Sequence, residues 1–480
     1  MGMIRSTVTL ITALLLLCSC VFASGFQYPG IGTKARGMGG AFRAVADNWT
    51  AAYYNPAGYA FLADNEIGFS QGFAHPRHEL TPNYTFTADG YSYDFGVFDE
   101  TLYNHHEILS MPAGGFAVRL PLFGEIVWGL SAYQPFDNNV TWSVWQPLAA
   151  YNNTIGDNVP ADQFKADIDI VTFQMTTAKS FKDDRLSVGF GLQLLRADIW
   201  MRDFIVRPNP VWNDRPKDFV AEFTSHDGSA WGFGLNVGLM YKATEKLNVA
   251  VTASIPTEFD IEGTAFQEYV VPSATTSDTS LFLGGAADSA FRVDSDFRTK
   301  IKLPAVLGVG LAYQMNDKLT LALDAEYTLW SKFEGMSFEY YNYILSGKIT
   351  ESSDPAFFQQ NTSNPTVWDD CGKVALGAHY QYSDIVGFMG GMSVEQSPLR
   401  NSLYFTPWFP EAGTKYGFSG GLQLSFERWE LGLITSFYDY PNEEEITWTE
   451  DADGDGVTDS FPGTYKSAAV ETILSVNYRF

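Results

Sequence analysis

The chain closes on Ala468-Ala469-Val470-Glu471-Thr472-Ile473-Leu474-Ser475-Val476-Asn477-Tyr478-Arg479-Phe480. Read as an extended strand, Ala468, Val470, Thr472, Leu474, Val476, Tyr478 and Phe480 share one face. Glu471, Ser475, Asn477 and Arg479 share the other, with Ile473 the exception. One face is greasy and one wet at period two, whereas an amphipathic helix would place apolar residues at i, i+3, i+4 and i+7. The same alternation recurs at Leu186, Val188, Phe190, Leu192 and Leu194, at Leu247, Val249, Val251, Ala253 and Ile255, and at Leu319, Leu321, Leu323, Ala325, Tyr327 and Leu329. It appears again at Tyr416, Phe418, Leu422, Leu424 and Phe426.

Short polar turns join such segments in pairs, at Leu122–Glu125, Lys182–Arg185, Ala243–Lys246, Asn316–Lys318, Ser383–Asp384 and Glu427–Arg428, with connections of roughly 20 to 40 residues between the pairs. Tight turns at one end and long loops at the other mark an outer-membrane barrel. Twelve paired strands, one near Glu66–Phe73 and the terminal one predict about fourteen antiparallel strands. Tyr241, Tyr313, Tyr380, Tyr382, Trp429 and Tyr478 fall at strand ends, as an interfacial aromatic girdle requires. A soluble propeller would show a repeat of about 40 residues, which is absent.

Composition fits this reading. Of 480 residues, 15% are aromatic, 18% charged and 43 are Gly, while the mean hydropathy of −0.10 is that of a soluble protein. Alternation reconciles the two, because a lipid-facing surface averages with a polar lumen. Thirty Lys and Arg against 56 Asp and Glu give a net charge of −26, which excludes a basic nucleic-acid face. Met1 to Ala23 reads as a secretory signal peptide, with Arg5, an apolar run from Ile11 to Leu17 and Val21-Phe22-Ala23 before Ser24. The alternative is a lipoprotein site with Cys20 acylated. Removal of the signal leaves Cys371 as the single cysteine and no intramolecular disulfide. No run of 18 apolar residues follows, so a spanning structure must be a closed barrel.

Residues 24–62 lack the alternation and precede the first strand. They are expected to fold into the lumen as a plug, with residues 63–480 forming the barrel and its extracellular loops. Here Ser24-Gly25-Phe26-Gln27, Gly37-Met38-Gly39-Gly40-Ala41-Phe42, Ala46-Asp47-Asn48 and Asn55-Pro56-Ala57-Gly58 resemble the hatch of the FadL/TodX family of outer-membrane transporters for fatty acids and other hydrophobic compounds. Trp330-Ser331-Lys332-Phe333, the run from Gly377 to Tyr380, Gly390 to Pro398, Thr406-Pro407 and Phe409-Pro410 are similar to further elements of that family. Glu395 stands where an Asp is common, and Leu399-Arg400 replaces Val-Pro.

The resemblance implies that a hydrophobic molecule is captured by an outer loop groove, passed to a lumen site beside the hatch, and released sideways through the wall. The loops would be about Met201–Gly228 and Thr257–Arg298, where Phe204, Ile205, Val211 and Trp212, and Leu281, Phe282 and Leu283, would form the greasy surface. Arg202, Arg207, Arg215 and Lys217 are candidates to hold a carboxylate, or are solvated charges. Phe26 matches the aromatic that enters the lumen site. Asn55 and Pro56 would fix the end of a hatch helix. The side gate would lie in the third strand, about Glu125–Phe136, with Gly129 or Pro135 interrupting its pairing. The expected partners are fatty acids, alkanes or aromatics, together with outer-membrane lipid and lipopolysaccharide, and the expected state is a monomer. A general porin or adhesin barrel is the rival class.

Separately, Asp451-Ala452-Asp453-Gly454-Asp455-Gly456-Val457-Thr458-Asp459 resembles the start of a calcium loop. Asp451, Asp453, Asp455, Asp459 and the Val457 carbonyl would be the ligands, although Pro462 replaces the closing Glu of an EF-hand. An acidic solvated turn is the alternative, and no cofactor is required.

Overall fold

The computed structural model describes residues 25–480 except 84, 89–90, 95–100, 106–107, 121–125, 145–161, 209–218, 271–289, 347–361, 366–367, 402–407, 412, 442–443 and 447–460. Fourteen antiparallel strands form one closed barrel. They are β1 (Glu66–Pro82), β2 (Leu109–Leu120), β3 (Ile126–Trp142), β4 (Phe164–Phe181), β5 (Leu186–Pro208) and β6 (Phe219–Lys242). Four interrupted strands follow: β7 (Leu247–Ser254, Glu258–Val270), β8 (Ala290–Lys302, Val306–Asn316), β9 (Leu319–Thr328, Gly335–Ser346) and β10 (Thr362–Pro365, Cys371–Gln381). The last are β11 (Val386–Gln396), β12 (Thr414–Phe426), β13 (Trp429–Asp439) and β14 (Gly463–Arg479). β1 pairs with β14 from Glu66 opposite Arg479 to Pro82 opposite Gly463, which closes the sheet on itself. The turns are tight: Glu427, at φ 49°, adopts the left-handed conformation of a two-residue hairpin.

Residues 25–62 lie inside. α1 (Thr33–Gly37), α2 (Ala51–Tyr54) and a 3-10 turn (Pro56–Phe61) are each too short to persist alone in water and hold their shape by packing on the wall.

Along the strands the apolar face changes sides. Near the short turns it faces outward: Phe173, Phe190, Leu192, Leu239, Val309, Leu433 and Phe437 are exposed. Tyr241, Tyr313, Tyr380, Tyr382 and Trp429, also exposed, rim this lipid-facing band. Higher up, the apolar side chains turn inward. In β5 the switch is a one-residue slip: Phe190, Leu192 and Leu194 face out, whereas Leu195, Ala197, Ile199 and Met201 are buried and Arg196 and Asp198 take the outer face. β7 reaches the same end without a slip in its sequence. Its break at Ile255-Pro256-Thr257 rotates the strand, so that Val251 and Ile255 face out below it, Phe259 and Ile261 face in above it, and Glu258 and Asp260 meet Lys300 outside. Leu303-Pro304-Ala305 breaks β8 at the same level; proline supplies no ladder donor at either break.

The stretches read from sequence as loops, Met201–Gly228 and Thr257–Arg298, are therefore largely strand. β5 runs to Pro208, β6 starts at Phe219, β7 runs to Val270 and β8 starts at Ala290. Above the bilayer the barrel continues like a water-soluble one, with Ile168, Ile199, Phe223, Phe259, Phe297 and Ile301 in a single apolar core.

This arrangement separates two substitutions on the outer face. Leu433→Arg, in the lipid band, is expected to cost about 2–4 kcal/mol in a denaturant titration in lipid vesicles. Arg298→Leu removes only an exposed pair with Glu339 and is expected to change stability by less than about 1 kcal/mol.

Candidate functional site in the barrel lumen

Within the bilayer span the inner face is small and polar, which makes room for the amino-terminal segment. A Cβ on Gly189 would overlap the backbone of Pro56 and Ala57; on Gly391 it would overlap that of Met38 and Gly39. Gly238, Gly308 and Gly432 instead make room for the side chains of Asn55, Arg43 and Thr33. Glycine weakens a strand, and here it lets another backbone approach. Charges then fix the segment. Arg36 binds the Glu471 carboxylate and the Tyr438 hydroxyl, and the side chains of the ion pair are 1% and 3% exposed. Burial works against the Arg36 charge, but Glu471 and the neighbouring tyrosines outweigh it and hold its pKa above the ordinary value. Arg43 binds Glu326 and lies 3.3 Å from Asp324, whose carboxylate also accepts the backbone N–H groups of Phe42 and Arg43 at 3.0 and 2.9 Å. Trp49 Nε1–H donates to Asn477 Oδ1 at 2.8 Å. Asn55 joins α2 to the 3-10 turn that Pro56 opens: its Oδ1 accepts from Ala57 N–H at 3.0 Å and its Nδ2 donates to the Arg43 carbonyl at 2.9 Å.

The wall is interrupted beside this segment. β2 pairs with β3 only from Gly114 opposite Ala132 to Leu120 opposite Ile126, although β2 continues to Leu109 against β1 and β3 continues to Trp142 against β4. The next tie across the gap is the His105 N–H bond to the Thr141 carbonyl, 2.9 Å. Between these limits, Leu109–Ala113 and Tyr133–Val140 are unpaired with one another. Pro135 lies in a bulge that puts an extra residue of β3 between Tyr133 opposite Thr172 and Phe136 opposite Ile170. The bulged edge is occupied from inside: Tyr28 N–H donates to the Pro135 carbonyl at 2.9 Å, Gln27 bridges Phe136, and Asp137 N–H donates to the Phe26 carbonyl at 3.4 Å. Gly129, the other gate candidate from sequence, is paired on both sides, with Ala117 and Thr176, and does not interrupt the wall; it lies against Tyr59 instead.

Phe26 is buried in an aromatic box. Its ring centroid lies 5.2 Å from Trp330, 5.6 Å from Phe409, 5.7 Å from Phe136, 5.8 Å from Phe333 and 6.1 Å from Trp368. A cavity of about 90 Å³ runs from Phe26, Trp368 and Phe409 to Leu109 and Asn138 at the window edge. A second, of about 100 Å³, lies across Gln27 and Phe136, among Arg43, Tyr53, Tyr133 and Gln193.

Of the residues read from sequence, the structure thus brings Phe26 and Pro135 together at the gap in β2–β3 pairing, with Asn55 and Pro56 farther along the segment. Phe204 and Ile205 lie on β5, with side chains outside the described residues. Val211, Trp212, Leu281, Phe282, Leu283 and the Asp451–Asp459 run with Val457 also lie outside them. Arg202 is committed to Asp162 at 2.9 Å and Ser225 at 2.8 Å. The sequence reading assigned no site role to Phe136, Trp330, Phe333, Trp368 or Phe409. Their signal is position, since Trp330 and Phe333 lie within the β9 break and Phe409 precedes Pro410.

Arg36→Met leaves Glu471 buried and unpaired, and is expected to cost about 3–5 kcal/mol in thermal unfolding, with much of the loss recovered in the Arg36→Met/Glu471→Gln double variant.

Comparison with known proteins gives the same architecture. The family described as "Outer membrane protein transport protein (OMPP1/FadL/TodX)" matches residues 14–480. The long-chain fatty acid transport protein of Escherichia coli K12 is 25% identical over 206 residues, 40% of this chain and 40% of that protein. Outer membrane protein P1 of Haemophilus influenzae is 21% identical over 422 residues, 82% of this chain and 81% of that one. The first curated relatives are thus matched over about two fifths of their length. Among solved structures, a Pseudomonas aeruginosa FadL homologue superposes with a TM-score of 0.73 at 16% identity, covering 95% of this chain and all of that chain. The Pseudomonas putida toluene transporter TodX gives 0.67 at 14% identity, covering 94% and 99%. These structural likenesses establish the fold. With the family match over nearly the whole length, they show that this chain belongs to the OMPP1/FadL/TodX family of outer-membrane transport proteins.

Proposed function

We propose that the protein takes up hydrophobic molecules, holds them in the aromatic box around Phe26 and releases them sideways through the β2–β3 window. The observation that carries this reading is the continuity of cavity and window: lining from Phe26 and Trp368 reaches Leu109 on the unpaired edge of β2. A water-filled exit would leave an apolar solute where it began. A wall opening beside the upper lipid band delivers it to a better solvent, since burial is worth about 0.8 kcal/mol per CH2 group. Related proteins are named as transporters of long-chain fatty acids or of toluene, and both classes share the apolar bulk that the box receives.

In this reading residues 1–23 are the removed signal, 24–62 the hatch and 63–480 the barrel, acting as a monomer among outer-membrane lipid and lipopolysaccharide. Capture begins at the extracellular ends of β5–β8, where Phe204, Ile205, Val211, Trp212, Leu281, Phe282 and Leu283 supply the greasy surface. Calcium at Asp451, Asp453, Asp455, Asp459 and the Val457 carbonyl would stiffen the last loop and raise the melting temperature at millimolar calcium. Buried ion pairs between hatch and wall disfavour the porin reading, because they fill the space an aqueous pore needs.

Gln27 and Tyr28 act as a removable strand on the β3 edge, and a ligand that displaces Phe26 weakens that pairing. Deleting Pro135 restores the ordinary register, so β2 and β3 can pair past Gly114. Uptake of a labelled hydrophobic solute by cells should fall at least tenfold while binding to the purified protein persists. Unchanged uptake would sink the lateral route.

A further inference from the structure

Polar atoms without partners sit in the same cavity that the proposed function uses for its ligand. Trp368 lines that cavity, is 3% exposed, and its Nε1–H finds no acceptor among the described residues. Trp330, fully buried with its ring 5.0 Å from that of Trp368 and 5.2 Å from that of Phe26, lies behind the lining and supplies packing there. At the window end of the cavity, Asp137 Oδ1 and Asn139 Oδ1 are buried acceptors without donors. Asp137 Oδ2, by contrast, accepts from Gln134 Nε2 at 3.0 Å and from the Tyr28 hydroxyl at 3.4 Å. Buried polar groups are nearly always hydrogen-bonded, and an orphaned one is costly. A cavity that offers both orphan donors and orphan acceptors suits a group that can do both.

Charge narrows the choice. The lining contains two cations, Arg36 and Lys415, against three carboxylates, Asp137, Glu411 and Glu471. Arg36 is bound to Glu471, and Lys415 lies 3.6 Å from Glu411 with its ammonium over the Tyr438 and Tyr440 rings. Arg36 Nε–H remains unmatched, but its charge is already balanced by Glu471. An ionised carboxylate entering here would be set beside Glu411 and Glu471 and gain no cation that is not already paired.

We infer that the box selects a neutral hydroxylated hydrophobe, a long-chain alcohol or a phenol, whose oxygen accepts from the Trp368 indole N–H and whose hydroxyl donates to Asp137 or Asn139. This rests on the lumen-site reading given above and adds to it a head-group specificity. An alkane leaves all of these atoms unsatisfied, and an ionised fatty acid cannot donate.

Binding of dodecanol, dodecanoate and dodecane to the purified, detergent-solubilised protein tests this, at a pH where the acid is fully ionised. Dodecanol is expected to bind at least tenfold more tightly than either of the others. Trp368→Phe keeps the ring and removes the N–H, and is expected to weaken dodecanol about five- to tenfold while leaving dodecane unchanged. Dodecanoate binding as tightly as dodecanol in the unaltered protein would overturn the inference whether or not the variant folds. An equal loss for all three ligands in Trp368→Phe would also overturn it, because that is the mark of a packing role. Equal binding of all three to the unaltered protein leaves the lumen-site reading standing and removes only the head-group claim, with water then satisfying the orphan atoms. Binding of none removes both.

Discussion

A barrel of fourteen strands encloses more space than its own side chains can fill, and the rest of this structure follows from how that space is filled. The wall gives up side chains at Gly189, Gly238, Gly391 and Gly432, and the amino-terminal segment brings backbone against Gly189 and Gly391 and the Asn55 and Thr33 side chains against Gly238 and Gly432. Burying Arg36 and Arg43 would be prohibitive unless Glu471, Asp324 and Glu326 met them. Once they do, the segment is held against β8, β9 and β14, and its first residues have one place to go, the bulged edge of β3. Filling the lumen and closing the window are thus a single event in the packing.

The exchange of apolar faces along β5, β7 and β8 sets where the bilayer ends. Below the exchange lipid solvates the outside and the hatch satisfies a polar inside. Above it water solvates the outside and the strands bury an apolar core. The gap in β2–β3 pairing and the Phe26 box lie near this level, beside the boundary between the two kinds of core. The wall is weakened here by backbone chemistry, with Pro135 in the β3 bulge and Pro256 and Pro304 at the breaks of β7 and β8, rather than by loss of strands.

Much of this was legible in the sequence. Period-two alternation and six short turns led to the strand number, because alternation on a closed sheet is dictated by the solvent on each side. The lumen segment was legible from its lack of alternation and its glycines. Strand length was misread for a physical reason: apolar residues beyond Leu194 change phase, and one-phase counting ends the strand there, although the chain continues extended with its faces exchanged. Gly129 was misread because glycine in a strand signals either weakness or close approach, and only the position of Tyr59 decides which. The aromatic box escaped notice because its members come from the segment start, β3, the β9 and β10 breaks and the stretch after β11, which only barrel closure brings together.

The claim on which the others rest is that the hatch fills the lumen, so that the protein is not an aqueous pore. Ion conductance of the purified protein in planar bilayers tests it directly. A filled lumen gives a baseline with no large steady current. A large, steady conductance from the intact protein would contradict it.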